Sequence, residues 1–171
     1  ASSDWLKLAA LHLKTGDQKA YEDLCRQMLD RFKGANDTIA LERTVKACSV
    51  WALPEEMRKE VLALAKRLPE DGQNASWNVL ARGMAEYRAG DHAEAIKWLT
   101  VSEENAKASW QEKGLAFAYQ AMALAGKDRE SAQMRLEQAG VLLRKARQRR
   151  PKPGWDVLTL MELALEEAKG I

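Results

Sequence analysis

Nucleophilic or metal chemistry in this chain would have to come from Cys25, Cys48, His12 and His92. A reactive thiolate needs a neighbouring His or other cation to lower its pKa, and neither cysteine has a neighbouring His in sequence. Both lie inside apolar helical stripes, so they read as buried free thiols, with a Cys25–Cys48 disulfide as the lesser alternative. His12 and His92 belong to different segments and to no ligand-spaced cluster. They read as ordinary helix residues, and no metal site is expected. Gly126-Lys127 lacks the upstream glycine of a phosphate loop. Glu103-Glu104 and Glu166-Glu167 fall where solvated helix faces are expected, which leaves general acid–base work unsupported. The chain is therefore expected not to be an enzyme and to require no cofactor.

Chemistry of recognition is better represented. Six tryptophans stand against two phenylalanines. Trp5, Trp51, Trp98, Trp110 and Trp155 are most simply read as packing residues. Trp77 shares a helical pattern with Met84, Tyr87 and Arg88, and Trp, Tyr and Arg are the types enriched in binding hot spots. Packing is the competing reading for Trp77. The basic run from Arg144 to Lys152 has the composition of a helix C-terminus, where cations complement the dipole; its other reading is a surface for an acidic partner. It lacks interleaved aromatics and the net charge of the chain is only +2, so nucleic acid is not an expected partner. No apolar run approaches the roughly 20 residues that span a bilayer. No signal-peptide pattern opens the sequence, and the reading is cytoplasmic, with the missing initiator Met suggesting an excised piece of a larger protein.

These residues must be positioned by helices. Apolar spacing of i, i+3, i+4 runs through almost the whole chain and no strand pattern emerges. Gly16-Asp17 and Gly90-Asp91 each separate two such patterns: glycine tolerates the left-handed end of one helix and aspartate caps the next. Leu53-Pro54-Glu55 and Gly126-Lys127-Asp128 fall at the intervening turns. The segments run from Asp4 to Lys14, Asp17 to Phe32, the Asn36-Asp37-Thr38 cap to near Leu53, and Pro54 to Pro69. They continue from Ser76 to Arg88, Asp91 to Lys107, Ser109 to about Leu124, and Asp128 to about Arg149. Ser109 and Glu112 have capping-box spacing. Gly83 lies inside a helix at a cost of about 1 kcal/mol, which implies close packing of a neighbour. Pro151-Lys152-Pro153-Gly154 breaks the chain before a last helix from Trp155 to Lys169, with Val157, Leu158, Leu160, Met161 and Leu165 as its stripe.

Small residues at Gly83 and Ala95, the Gly-Asp turn between them, and large residues at Tyr87 and Leu99 resemble a tetratricopeptide repeat. Ala9, His12, Gly16, Tyr21 and Met28 form a similar but departing copy, with Tyr21 and Cys25 replacing the usual small residue and aromatic. The resemblance implies an all-α, right-handed α-solenoid of antiparallel helix pairs. It gives about nine helices in one domain, residues 1–171, with units at 4–34, 37–69, 75–107 and 109–150 and a capping helix at 155–169. The string from Asp17 to Cys48, with Tyr21, Leu24-Cys25, Met28-Leu29, Glu42-Arg43 and Lys46-Ala47-Cys48, is similar to the helical tails of some bacterial serine/threonine protein kinases. No kinase motif is present.

In such repeats the first helix of each pair lines the concave face. That mapping puts Leu6, Ala10 and Leu13 in a groove, followed by Glu42, Lys46 and Ser49. Trp77, Met84, Tyr87 and Arg88 come next, then Lys113, Phe117 and Gln120. Ala10 and Met84 stand where a carboxylate clamp would need Asn, so terminal-carboxylate binding is not expected. The function implied is a non-catalytic protein- or peptide-binding scaffold within a larger bacterial signalling protein. The alternative is a structural spacer or homodimerisation domain with no ligand.

Overall fold

The two Gly-Asp turns fold identically. Gly16 and Gly90 adopt φ of +76° and +91°. Asp17 N–H donates to the His12 carbonyl and Gly16 N–H to Leu13, and Asp91 and Gly90 repeat this with Glu86 and Tyr87. This double bond at a left-handed glycine satisfies carbonyls that the helix end would otherwise leave unpaired. Each aspartate side chain then accepts from the third backbone N–H onward, Ala20 in one case and Glu94 in the other. Asp128 caps its helix in the same way through Ser131 N–H, and Ser109 and Glu112 form the expected capping box.

A computed structural model describes residues 2–72, 74–105, 107–149 and 154–170. It is all-helical, with no strand among the described residues. The helices are α1 (Ser2–Lys14), α2 (Gln18–Phe32), α3 (Thr38–Cys48), α4 (Glu55–Ala65), α5 (Ala75–Ala89), α6 (His92–Glu104), α7 (Trp110–Leu124), α8 (Arg129–Gln148) and α9 (Trp155–Lys169). Pro151, Lys152 and Pro153 of the expected breaker, Arg150 of the basic run and the side chain of Val157 lie outside the described residues.

α1, α3, α5 and α7 each pack on the even-numbered helix that follows and on the next odd one. α9 continues the series against α7 and α8, and it also touches α1. The five odd helices therefore close into a ring. An open concave groove is not what the sequence builds. α9 fills it because Leu160, Met161, Ala164 and Leu165 are all buried there, each of the larger ones contributing about 1.5–3 kcal/mol. Gly114 on α7 makes the fit possible, since a Cβ there would collide with the Met161 side chain. Gly83 serves α6 in the same way: a Cβ would lie 2.7 Å from Leu99 Cγ, so the close packing expected at Gly83 is present.

α3 ends at Cys48 rather than near Leu53. Ser49, Val50 and Leu53 are buried in a non-helical segment. A buried segment of this kind needs partners for its carbonyls, and side chains from α2, α5 and α7 supply them. Tyr21 Oη donates to the Ala47 carbonyl at 2.9 Å and accepts from Trp51 N–H. Arg88 Nε donates to Ser49 O at 2.9 Å and Nη2 to Val50 O. Tyr119 Oη donates to Ser49 O at 2.7 Å. Cys25 and Cys48 are buried free thiols, and a hydrogen bond with Cys25, together with burial, pushes the Cys48 pKa well up. Trp5 packs edge-on against Phe32, and Trp98 lies under the Arg82 guanidinium. Trp155 departs from its packing expectation and is 47% exposed.

Candidate functional site

α1 and α9 lie side by side and run in the same direction, so the ring of odd helices has two mouths. Leu6 and Asp156 meet at one, and Leu13, Leu163 and Glu167 at the other. The first mouth opens into a cleft of about 360 Å³ bounded by Leu6, Ile39, Glu42, Arg43, Lys46, Asn74, Trp77 and Asp156. Helix starts position three of these residues. Ile39 is in the first turn of α3, Asn74 is the N-cap of α5, and Asp156 is in the first turn of α9.

Glu42 and Lys46 are one turn apart on α3 and form a buried ion pair at 2.6 Å. The Lys46 ammonium also sits 4.0 Å from the centre of the Trp77 ring, where the negative ring face attracts a cation. Trp77 is partly exposed and Ile39 is 44% exposed at the rim. The cleft thus offers an aromatic wall, an aliphatic lip and charges of both signs. Asn74 makes no capping bond with its own helix.

The predicted groove residues divide sharply. Glu42, Lys46 and Trp77 come together at this cleft. Ser49, Met84 and Arg88 lie buried in the centre of the ring, beneath α9. Arg88 is held from several sides. Besides the two backbone carbonyls it makes a two-pronged pair with Glu167 of α9, at 2.5 and 2.7 Å, and reaches Tyr119 Oη at 3.4 Å. Despite burial, the Tyr119 phenol and the Glu167 carboxylate hold the Arg88 pKa above its ordinary value. Burial pushes Tyr119 up to about 12. Arg88 is therefore a structural hub and not a surface contact.

Tyr87 stacks on His92 and packs edge-on against Tyr119, so its ring is committed to internal packing. Gln120 is buried and donates to Thr100 of α6, and Phe117 lies under Arg135 of α8. These two positions face the flanking helices rather than the ring interior. The inward positions of α7 are Gly114 and Tyr119, so the sequence mapping of this unit is rotated. Lys113 is partly buried on α7, away from the cleft.

Sequence reasoning missed Ile39, Arg43, Asn74 and Asp156. Ile39 and Arg43 lie next to features already singled out, the Asp37 cap and Glu42, and Asn74 lies just before the segment read as starting at Ser76. Asp156 carries no local signal, because its place follows only from ring closure by α9. Among the described residues no group of His, Cys, Asp and Glu has the arrangement to hold a metal ion, and no helix is long and apolar enough to cross a membrane. Comparison with protein-family models, curated proteins and solved structures returns no match.

Proposed function

We propose that this chain is a non-catalytic protein- or peptide-binding scaffold module, a tetratricopeptide-like right-handed solenoid of helix pairs whose inner face is occupied by its own last helix. The repeated Gly-Asp turns, and the packing of each helix pair on the next, support that reading of the fold. Binding then belongs to the mouth of the ring rather than to a continuous groove. The observation that carries the reading is the cleft in which Trp77, Lys46 and Glu42 meet beside an exposed Ile39. A partner would be a short segment with one apolar anchor against Trp77 and Ile39 and polar groups for Arg43 and Asp156. The likeness to kinase tails supports a place in a larger bacterial cytoplasmic signalling protein.

Panning a displayed peptide library against the wild-type protein, then measuring the selected peptides against Trp77→Ala and Ile39→Glu, tests the site. Both variants are expected to weaken binding at least about tenfold, the scale of a hot-spot truncation, while circular dichroism stays helical. Selected peptides that bind wild type and both variants equally would remove this cleft as the binding site.

A further inference from the structure

The edge of the molecule formed by α8 and α9 has features that internal packing does not explain. A groove of about 650 Å³ runs between these helices, with Leu136, Gly140 and Leu143 of α8 and Leu165 of α9 along it. It continues into a second hollow of about 270 Å³ that shares Gln133, Leu136 and Lys169. Each earlier odd helix has an even helix following and packed on it, whereas α9 has none among the described residues. The groove lies along α9 where such a helix could rest.

Gly140 is the second feature. A glycine inside a helix costs about 1 kcal/mol relative to Ala. Gly83 and Gly114 are explained by Leu99 and Met161, which press against them. A Cβ on Gly140 would meet only the flexible Arg144 guanidinium, at 3.5 Å. Nothing among the described residues requires this glycine. Close approach of an outside helix would. Val141, next to it and lining the groove, is 37% exposed, and Met134, one heptad before Val141 on α8, is 51% exposed.

The charges identify the occupant. The groove-facing charges of α8 are acidic at Glu137 and basic at Arg144 and Arg147, and α9 contributes Glu162, Glu166 and Lys169. Arg147 and Glu162 already pair with each other at 2.7 Å, which leaves Glu137, Arg144 and Glu166 as the charges a second copy would meet. A helix complementary to this pattern is α8 itself, reversed. We propose that two copies of this chain pair through this groove, each α8 lying antiparallel on the other with a two-fold axis between Gly140 and Val141. That register sets Arg144 of each copy opposite Glu137 of the other, twice over, with Glu166 of α9 alongside. The same patch meets itself, as an isologous interface requires. Val141 packs over Gly140 of the other copy at the crossing, and Met134 lies against the aliphatic stem of Arg147. The surface shares no residue with the cleft at Trp77, so either proposal can fail without the other.

Analytical ultracentrifugation across micromolar to sub-millimolar concentrations tests the pairing. A monomer–dimer equilibrium is expected. Arg144→Glu should weaken it at least tenfold, and Arg144→Glu combined with Glu137→Arg should restore it. Gly140→Gln should abolish the dimer while raising the melting temperature of the monomer, a combination that misfolding cannot produce. A monomer at every concentration overturns the proposal. So does a dimer indifferent to Arg144→Glu and Gly140→Gln, or one seated elsewhere.

Discussion

Tyr21 and Arg88 grip the same stretch of chain, residues 47–51, by different means. Tyr21 reaches it from α2 with a single neutral hydroxyl that donates to Ala47 O and accepts from Trp51 N–H. Arg88 reaches it from α5 as a permanent charge, and it must be neutralised by Glu167 from the far end of the chain. The neutral grip joins α2 to the segment that follows α3. The charged grip joins α3, α5, α7 and α9 at once. A buried hydroxyl with both roles filled stabilises modestly and fails modestly. A buried ion pair contributes little net stability but is costly to break on one side, because the surviving charge is left in a poorly solvated place. The second arrangement thus makes ring closure an all-or-nothing property.

Breaking the charged grip should have the largest effect. Arg88→Ala is expected to destabilise by about 3–5 kcal/mol, the cost of removing one partner of a buried pair, as read by urea unfolding. Replacing both Arg88 and Glu167 by Met should recover the part of that loss that comes from the stranded carboxylate, though not the bonds of Arg88 to Ser49 O and Val50 O. If the double replacement is no better than Arg88→Ala alone, the ion pair is not what couples α9 to the ring. Tyr21→Phe should cost less, about 1–3 kcal/mol, because Trp51 N–H loses its acceptor while Ala47 O keeps the Val50 N–H, and the lost stability should leave α9 in place. Hydrogen exchange can check this by comparing protection in α9 between the two variants.

The smallest effect is read in the alkaline limb of stability. Tyr119 is raised from about 10 to about 12 by burial, so the folded state holds this proton more tightly than the unfolded one. Its stabilisation is complete below pH 10 and is lost as pH rises from about 10 towards about 12. Burial also raises Tyr21, whose contribution falls in the same alkaline direction. Tyr119→Phe should therefore flatten only part of the alkaline loss of stability, and Tyr119→Phe with Tyr21→Phe should flatten more. An alkaline limb unchanged in the double variant would contradict burial as the cause.

Turns and helix order were readable because their chemistry is local. Gly16-Asp17, Gly90-Asp91, Asp128 and the Ser109–Glu112 box each act within about one turn of the chain, and all formed as read. The early end of α3 was not readable. Its carbonyls are taken by Tyr21, Arg88 and Tyr119, residues 26 to 70 positions away, and periodicity carries no information about them. Ring closure escaped for a related reason: the apolar stripe of α9 looks the same whether it caps an edge or fills a centre. That single ambiguity moved Ser49, Met84 and Arg88 from an expected surface into the interior, while Glu42, Lys46 and Trp77 stayed together at its rim.

The parallel course of α1 and α9 has a mechanical consequence. Leu6, near the start of α1, lies at one mouth of the ring and Glu167, in the last turn of α9, at the other. Tension drawn between those two points would pull the helices past each other along their shared axis, loading the whole contact, with the Arg88–Glu167 clasp, at the same moment. Resistance to stretching would then be set by the rate of one concerted rupture, and not by helices peeling away in succession as they would from an open-ended stack.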